Sequence, residues 1–178
     1  MFIERETEIE LVEGCVGNHR KAQKQLYYKY CNAMFTVAYR ILKNEDDAND
    51  ALQDAFIQIF KDIKSFRGEA TIGAWIKTIV IRSALKKFKK NIFYEEIDDR
   101  IINTADSDSQ INALSGEYIE KMIMSLSKGY RTVFLLIEVE GYTHKEVAEM
   151  LNISEGTSKS QLFYAKKHLR TLLKHLEY

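Results

Sequence analysis

Apolar residues recur at steps of three and four along most of the chain, the period of helices that bury one face. The clearest case is 48–63, where Ala48, Leu52, Ala55, Phe56, Ile59, Phe60 and Ile63 fall on one stripe. Asn44, with Asp47 three residues on and acids through the first turn, marks the start of that helix. Upstream, Leu26, Tyr30, Met34, Val37 and Ile41 predict a helix over about 22–43. A third begins near Thr71 and runs past Phe88, with Ile72, Trp75, Ile76, Ile79 and Val80 inward. Between them SFRGEAT (65–71) reads as a short polar loop, and residues 1–21 predict a further short helix. The chain contains no proline, which suits a mostly helical protein.

The stretch 91–116 carries no sustained apolar period and is rich in acidic and small polar residues, so it is expected to be a flexible linker. Beyond it the helical period returns. Ile119, Met122, Ile123 and Leu126 predict a helix over about 117–126 that ends at SLSKG, and 130–140 predicts another. Thr143 with Glu146 three later is a capping box, opening a short helix with Val147, Ala148 and Leu151 inward. Asn152-Ile153 makes a turn, and Ser154 caps a longer helix with Leu162, Ala165, Leu169 and Leu172 inward. A short helix, a tight turn and a helix with a polar outer face form the helix-turn-helix pattern. Ala148 is small where the two helices approach. The expected fold class is all-α: two small helical domains, 1–90 and 117–178, joined by the linker 91–116.

Charge changes the picture. The 26 basic and 26 acidic residues cancel overall, but not locally. Residues 61–94 hold nine basic and two acidic residues, net +7, and 95–118 hold one and seven, net −6. Residues 156–178 hold five and one, net +4. Two basic segments flanking an acidic one suggest two contacts with one polyanion; the blander account is a pair of solvated helix faces. No apolar run approaches membrane-spanning length, and the acid-rich first 15 residues are unlike a secretory signal, so a cytoplasmic protein is expected rather than a membrane one. Cys15 and Cys31 form no disulfide framework.

No constellation for catalysis is found: no Walker loop, no GxGxxG. Cys15 and His19, or His168 and His175, fall short of the four ligands of a zinc site, and His144 sits in the first turn of the helix-turn-helix. No metal, cofactor or small-molecule substrate is implied, and the protein is not expected to be an enzyme. Binding chemistry remains. On 155–168 the outward residues include Thr157, Lys159, Ser160, Phe163, Tyr164 and Lys167. Lys159 suits a guanine edge or a phosphate, Phe163 a thymine methyl, and Thr157 with the helix start a phosphate. The third helix ends in Arg82, Lys86, Lys87, Lys89 and Lys90, and the loop at its start holds Phe66 and Arg67. Basic residues beside an aromatic loop suit a backbone track plus a captured base. Trp75, on the apolar stripe, reads as core.

These segments together resemble bacterial RNA polymerase sigma factors of the extracytoplasmic-function group. DDANDALQDAF (46–56) looks like region 2.2 and FRGEATIGAWIKTIVIRSALKKFKK (66–90) like regions 2.3 and 2.4. The run from Ser127 to Leu169 looks like region 4. The resemblance implies a promoter-specificity subunit that binds core RNA polymerase and promoter DNA. Asp50, Gln53 and Asp54 match the surface that docks on the clamp helices of the largest catalytic subunit, and Phe56 reads as core. Phe66 and Arg67 match the loop that captures an unstacked base of the −10 element. Arg82, Ser83, Lys86, Lys87, Lys89 and Lys90 match the part that reads −10 DNA. Thr157, Lys159, Ser160, Phe163, Tyr164 and Lys167 match the reader of the −35 element. An anti-sigma protein is a further partner the resemblance implies.

The chain departs from the group's pattern at several positions. SLSKG lacks the usual proline, Ser158 replaces an apolar residue and so predicts looser packing, Gln161 replaces a frequent arginine and Ser83 a frequent asparagine. The competing readings are a stand-alone helix-turn-helix regulator, which binds a palindrome without polymerase, and a helical interaction protein with no DNA role.

Overall fold

The computed structural model describes residues 2–92 and 116–174, with side chains over 8–89 and 116–174. The described residues are helical with no strand, and the chain divides into two compact units, Met1–Phe88 and Lys89–Tyr178. No helix among the described residues is long and apolar enough to cross a membrane.

The first unit holds α1 (Phe2–Val16), α2 (Arg20–Leu42), α3 (Glu45–Asp62), a 3-10 turn (Ile63–Ser65) and α4 (Ile72–Ile92). α1 meets α2 so closely that a Cβ on Gly14 would stand 2.7 Å from that of Ala22, and only glycine fits there. Two residues turn α2 into α3. Lys43 takes a left-handed conformation and donates its N–H to the Tyr39 carbonyl. Asn44 then caps α3, its side chain accepting from the Asp47 N–H at 2.9 Å as its position predicts. The stripe on α3 is buried at Ala48, Leu52, Ala55, Phe56, Ile59 and Ile63, and Phe60 is half-buried. Leu26 of α2 and Ile76 and Val80 of α4 are fully buried, each worth about 2 kcal/mol as area removed from water.

The inward face of α4 is broader than the expected stripe. Ile81, Ala84, Leu85 and Phe88 are also buried, while Trp75 and Ile79 are half-buried, as are Tyr30 and Val37 on α2. Of the linker expected at 91–116, Asn91 and Ile92 still belong to α4 and Gly116 opens the next helix; residues 93–115 lie outside the described residues.

The second unit holds α5 (Gly116–Ser125), α6 (Lys128–Phe134), α7 (His144–Leu151) and α8 (Glu155–Lys174). Ile119, expected inward, is 49% exposed; Met122 is the buried residue of α5, and Leu126, just past its end, is buried too. α6 starts at Lys128, ahead of the expected position, and runs on into a π-helical stretch, Leu135–Val139. There the N–H of Glu140 reaches back five residues to the Leu135 carbonyl at 3.0 Å. Gly141 (φ +79°) then ends the helix. The Thr143–Glu146 capping box is complete in both directions. Asn152, left-handed at φ 57°, makes the turn, and Ser154 caps α8, its Oγ accepting from the Thr157 N–H at 2.9 Å.

Candidate nucleic-acid interface

In the helix-turn-helix, the first turn of α8 is tied inward before it can face outward. Ser158 is fully buried and its Oγ lies 3.0 Å from Nδ1 of His144 on α7. The looser packing expected from a serine at this position is therefore not found, because the hydroxyl is matched by a ring nitrogen across the helix pair. The Thr157 hydroxyl is engaged with Ser154 Oγ at 2.8 Å, so this threonine completes the cap and presents only its methyl side. Ser160 Oγ donates to the Thr157 carbonyl.

Past that first turn the helix opens outward. Lys159, Phe163 and Lys167 are exposed at four-residue steps, with Ser160 and Tyr164 beside them. Lys159 pairs with Glu155 at 2.8 Å, and that hydrogen bond, first among the causes, holds the Glu155 carboxyl below the usual carboxylate range. Phe163 (59% exposed) meets Tyr164 edge-on at 5.5 Å, and Tyr164 stacks on Tyr130 of α6 at 6.1 Å. Tyr130 was not singled out by the sequence, where nothing marks it apart from other α6 residues. An apolar ring on an exposed groove-sized helix beside two lysines suits a DNA major groove, where methyls and base edges lie side by side.

In the first unit, Asp50, Gln53 and Asp54 are all exposed on α3, on the side away from the buried Ala51, Leu52 and Ala55. Arg82, Lys86 and Lys89 follow one another at helical spacing on α4; the first two are exposed and Lys89 is half-buried. Lys87 turns elsewhere. Its Nζ bridges to Asp50 Oδ2 at 2.9 Å, joining two residues that sequence reasoning assigned to different partners. Ser83 also faces the bundle, its Oγ donating to the Ala51 carbonyl at 2.8 Å. Phe66 is half-buried against Trp75, ring centroids 5.6 Å apart, whereas Arg67 stands in solvent 3.9 Å from Glu69. The side chain of Lys90 and all of His175 lie outside the described residues. Among the described residues no group of three metal-capable side chains occurs.

Comparison with known proteins accounts for both units. Residues 26–92 match the family model of Sigma-70 region 2, and 116–169 match that of Sigma-70, region 4. The chain is 26% identical to the ECF RNA polymerase sigma factor SigM of Mycobacterium tuberculosis, over 96% of this chain and 86% of that one. It is 25% identical to the ECF RNA polymerase sigma-E factor of Haemophilus influenzae, over 97% and 98%. Two solved structures share the fold, each with a TM-score of 0.51. CnrH, in complex with the cytosolic domain of CnrY, is 19% identical, with 94% of this chain and 97% of that one covered. RpoE of Bartonella quintana, in complex with the anti-sigma factor NepR, is 23% identical, with 85% and 96% covered. With both sigma-70 modules present in order and relatives of one group matched along nearly their whole length, the chain belongs to the extracytoplasmic-function sigma factors of RNA polymerase.

Proposed function

We propose that the chain works in the cytoplasm as a promoter-specificity subunit, performing no reaction itself, and that residues 1–90 and 117–178 divide the task. Residues 1–90 would serve core polymerase and the −10 element, 91–116 would link, and 117–178 would serve the −35 element. On α3, Asp50, Gln53 and Asp54 present the docking surface. Phe66 and Arg67 meet the melted strand, and Arg82, Lys86 and Lys89 track the −10 backbone. Lys159, Ser160, Phe163 and Tyr164 read the −35 element, with Lys167 on a phosphate. The observation that carries this reading is the exposed Lys159–Phe163–Lys167 row on α8 in a chain that also carries a region 2 module. A stand-alone regulator has no use for that module and is not favoured. Since the solved relatives include one bound to an anti-sigma factor, we propose a protein of that class as this chain's negative partner.

The test is co-elution of the chain with purified bacterial core polymerase, followed by transcription from a pool of genomic fragments. A one-to-one complex that starts transcripts downstream of shared elements is expected. Asp50→Arg with Asp54→Arg should abolish the complex while leaving the helical content unchanged. Absence of any complex, with tight duplex binding by the chain alone, would return the protein to the stand-alone class.

A further inference from the structure

Loop 66–71 is slung between two supports, and both lead back to α1, which precedes the matched region 2 segment. At the loop's start, α1 packs against the 3-10 turn Ile63–Ser65, from which Phe66 emerges. At its end, Gly73 in the first turn of α4 faces the ring of Tyr30 on α2. A Cβ on Gly73 would stand 3.1 Å from Tyr30 Cε1. The Tyr30 hydroxyl donates to Oε1 of Glu8 on α1 at 2.8 Å, and Lys29 Nζ donates to the same oxygen at 2.6 Å. One carboxylate therefore fixes α1 on α2 and also holds the ring that bears on α4. Burial first, then the Glu8 bond, pushes the Tyr30 phenol well above its usual range, so it remains a donor at any physiological pH.

We propose that Glu8 and Tyr30 are positioning residues for promoter melting: through α1 at one end and Gly73 at the other they hold loop 66–71, and with it Phe66, at the angle base capture needs. This rests on the reading of that loop as the melting loop. Pre-aiming matters because a slack loop must be ordered at the moment a base leaves the stack, and that entropy opposes capture. Without the Glu8 tie, the Tyr30 ring is free to move off Gly73 and the first turn of α4 is free to follow. Phe66, which rests on Trp75 two residues past Gly73 along α4, then loses its fixed bearing.

The experiment uses holoenzyme reconstituted from the full chain and core polymerase, on a promoter recovered from the genomic pool. Opening is followed on the duplex and on the same promoter with its −10 segment already unpaired. Tyr30→Phe, which keeps the ring and loses only the hydroxyl, is expected to slow opening of the duplex about tenfold, the scale of one charge-assisted hydrogen bond. It should leave the unpaired template nearly unaffected. Gly73→Ala, which crowds the ring, should give the same selective loss. Glu8→Gln, which still offers the hydroxyl an oxygen, should retain most of the rate. Wild-type opening by both Tyr30→Phe and Gly73→Ala overturns the proposal, and so does an equal loss on both templates, which marks a general structural defect. Phe66→Ala separates the two readings. If it is slow on the duplex while Tyr30→Phe is not, positioning fails alone; if it opens the duplex normally, the melting-loop reading fails with it.

Discussion

The two units bury different chemistry. Among its described residues the first unit buries only apolar side chains, whereas the second also buries Arg131, Thr132 and Ser158. Helix length explains the contrast. α2, α3 and α4 span 23, 18 and 21 residues, long enough for a continuous apolar stripe to hold each in place by area alone. α5, α6 and α7 span 10, 7 and 8 residues and bury one, three and two side chains respectively. Directional bonds supply what area cannot. Arg131 Nη1 donates to the Leu126 carbonyl at 2.9 Å, tying α6 to the end of α5, and the Ser158–His144 bond sets α8 against α7. Burial is tolerant of small shifts and hydrogen bonds are not, so the buried polar ties fix the short helices of the second unit more sharply than area alone could, which suits the groove-reading role proposed for α8.

The largest effect that would break this contrast is at Arg131. Arg131→Ala should destabilise the second unit by about 3 kcal/mol, combining a charge-assisted bond with a lost packed stem. Amide exchange in α5 and α6 would rise accordingly. Arg131→Met should recover part of the loss; full recovery would mean that packing and not the bond holds these helices. In the first unit Ile59→Val, at a fully buried site, should cost only about 1 kcal/mol in urea unfolding because the stripe re-packs around one missing methyl. Ser158→Ala should cost a similar amount, about 1 kcal/mol. It should also lower −35-dependent transcription, which Ile59→Val should not. Equal transcription by both variants would deny Ser158 any part in aiming α8.

The same contrast decides what the sequence made legible. Stripes and caps are local, and they read well: α3 with its Asn44 cap, the Thr143–Glu146 box, the Asn152 turn and the Ser154 cap all stand where spacing places them. Long-range polar pairing leaves no spacing signal. Nothing in the order of residues joins Asp50 to Lys87 across α3 and α4, or Ser158 to His144, or Glu8 to Tyr30. The π-helical stretch after α6 was likewise invisible, since its apolar run Leu135-Leu136-Ile137 suits either helix type. Ile119 misled because an apolar residue at helical spacing on a short helix can face solvent. At the candidate sites, exposure follows the sequence reading for Asp50, Gln53, Asp54, Lys159, Phe163 and Lys167. It departs from it for Ser83 and Thr157, whose hydroxyls serve the fold.

A smaller effect sharpens the comparison from a polar tie near the first unit's surface, the one at Glu8. The Lys29 hydrogen bond, aided by Tyr30 and opposed by partial burial, holds the Glu8 carboxyl below the usual carboxylate range. A depressed folded pKa contributes stability that is present above the unfolded value, about 4.3 for glutamate, and is lost as pH falls through the lower folded value. The α1–α2 contact should therefore be unchanged from neutrality to about pH 5 and loosen only in stronger acid. An NMR titration of the Glu8 carboxyl, with the Tyr30 ring signals followed alongside, reads this directly. A midpoint at the unperturbed value would mean that the tie is not formed in solution.

The smallest expected change in stability lies at the exposed pair Lys159–Glu155, 60% and 51% accessible, at the start of α8. An i,i+4 pair this open to solvent is screened and contributes little to folding, so Glu155→Gln should leave the unfolding midpoint nearly unmoved. Its effect on binding has the opposite sign to its effect on folding. In the free chain Lys159 is partnered by a carboxylate that the DNA must displace, so freeing it should raise affinity for the −35 element a few-fold at low salt. That gain should fade as salt rises, since exposed charges more than about 8 Å apart are screened near physiological ionic strength. Lys87 provides the counterpart: only 23% exposed and bridged across two helices, it has less freedom to leave Asp50, so Asp50→Asn should raise DNA affinity less than Glu155→Gln does. A gain for Glu155→Gln that persists unchanged in high salt would show that Glu155 restrains α8 through its shape at the helix start and not through its charge.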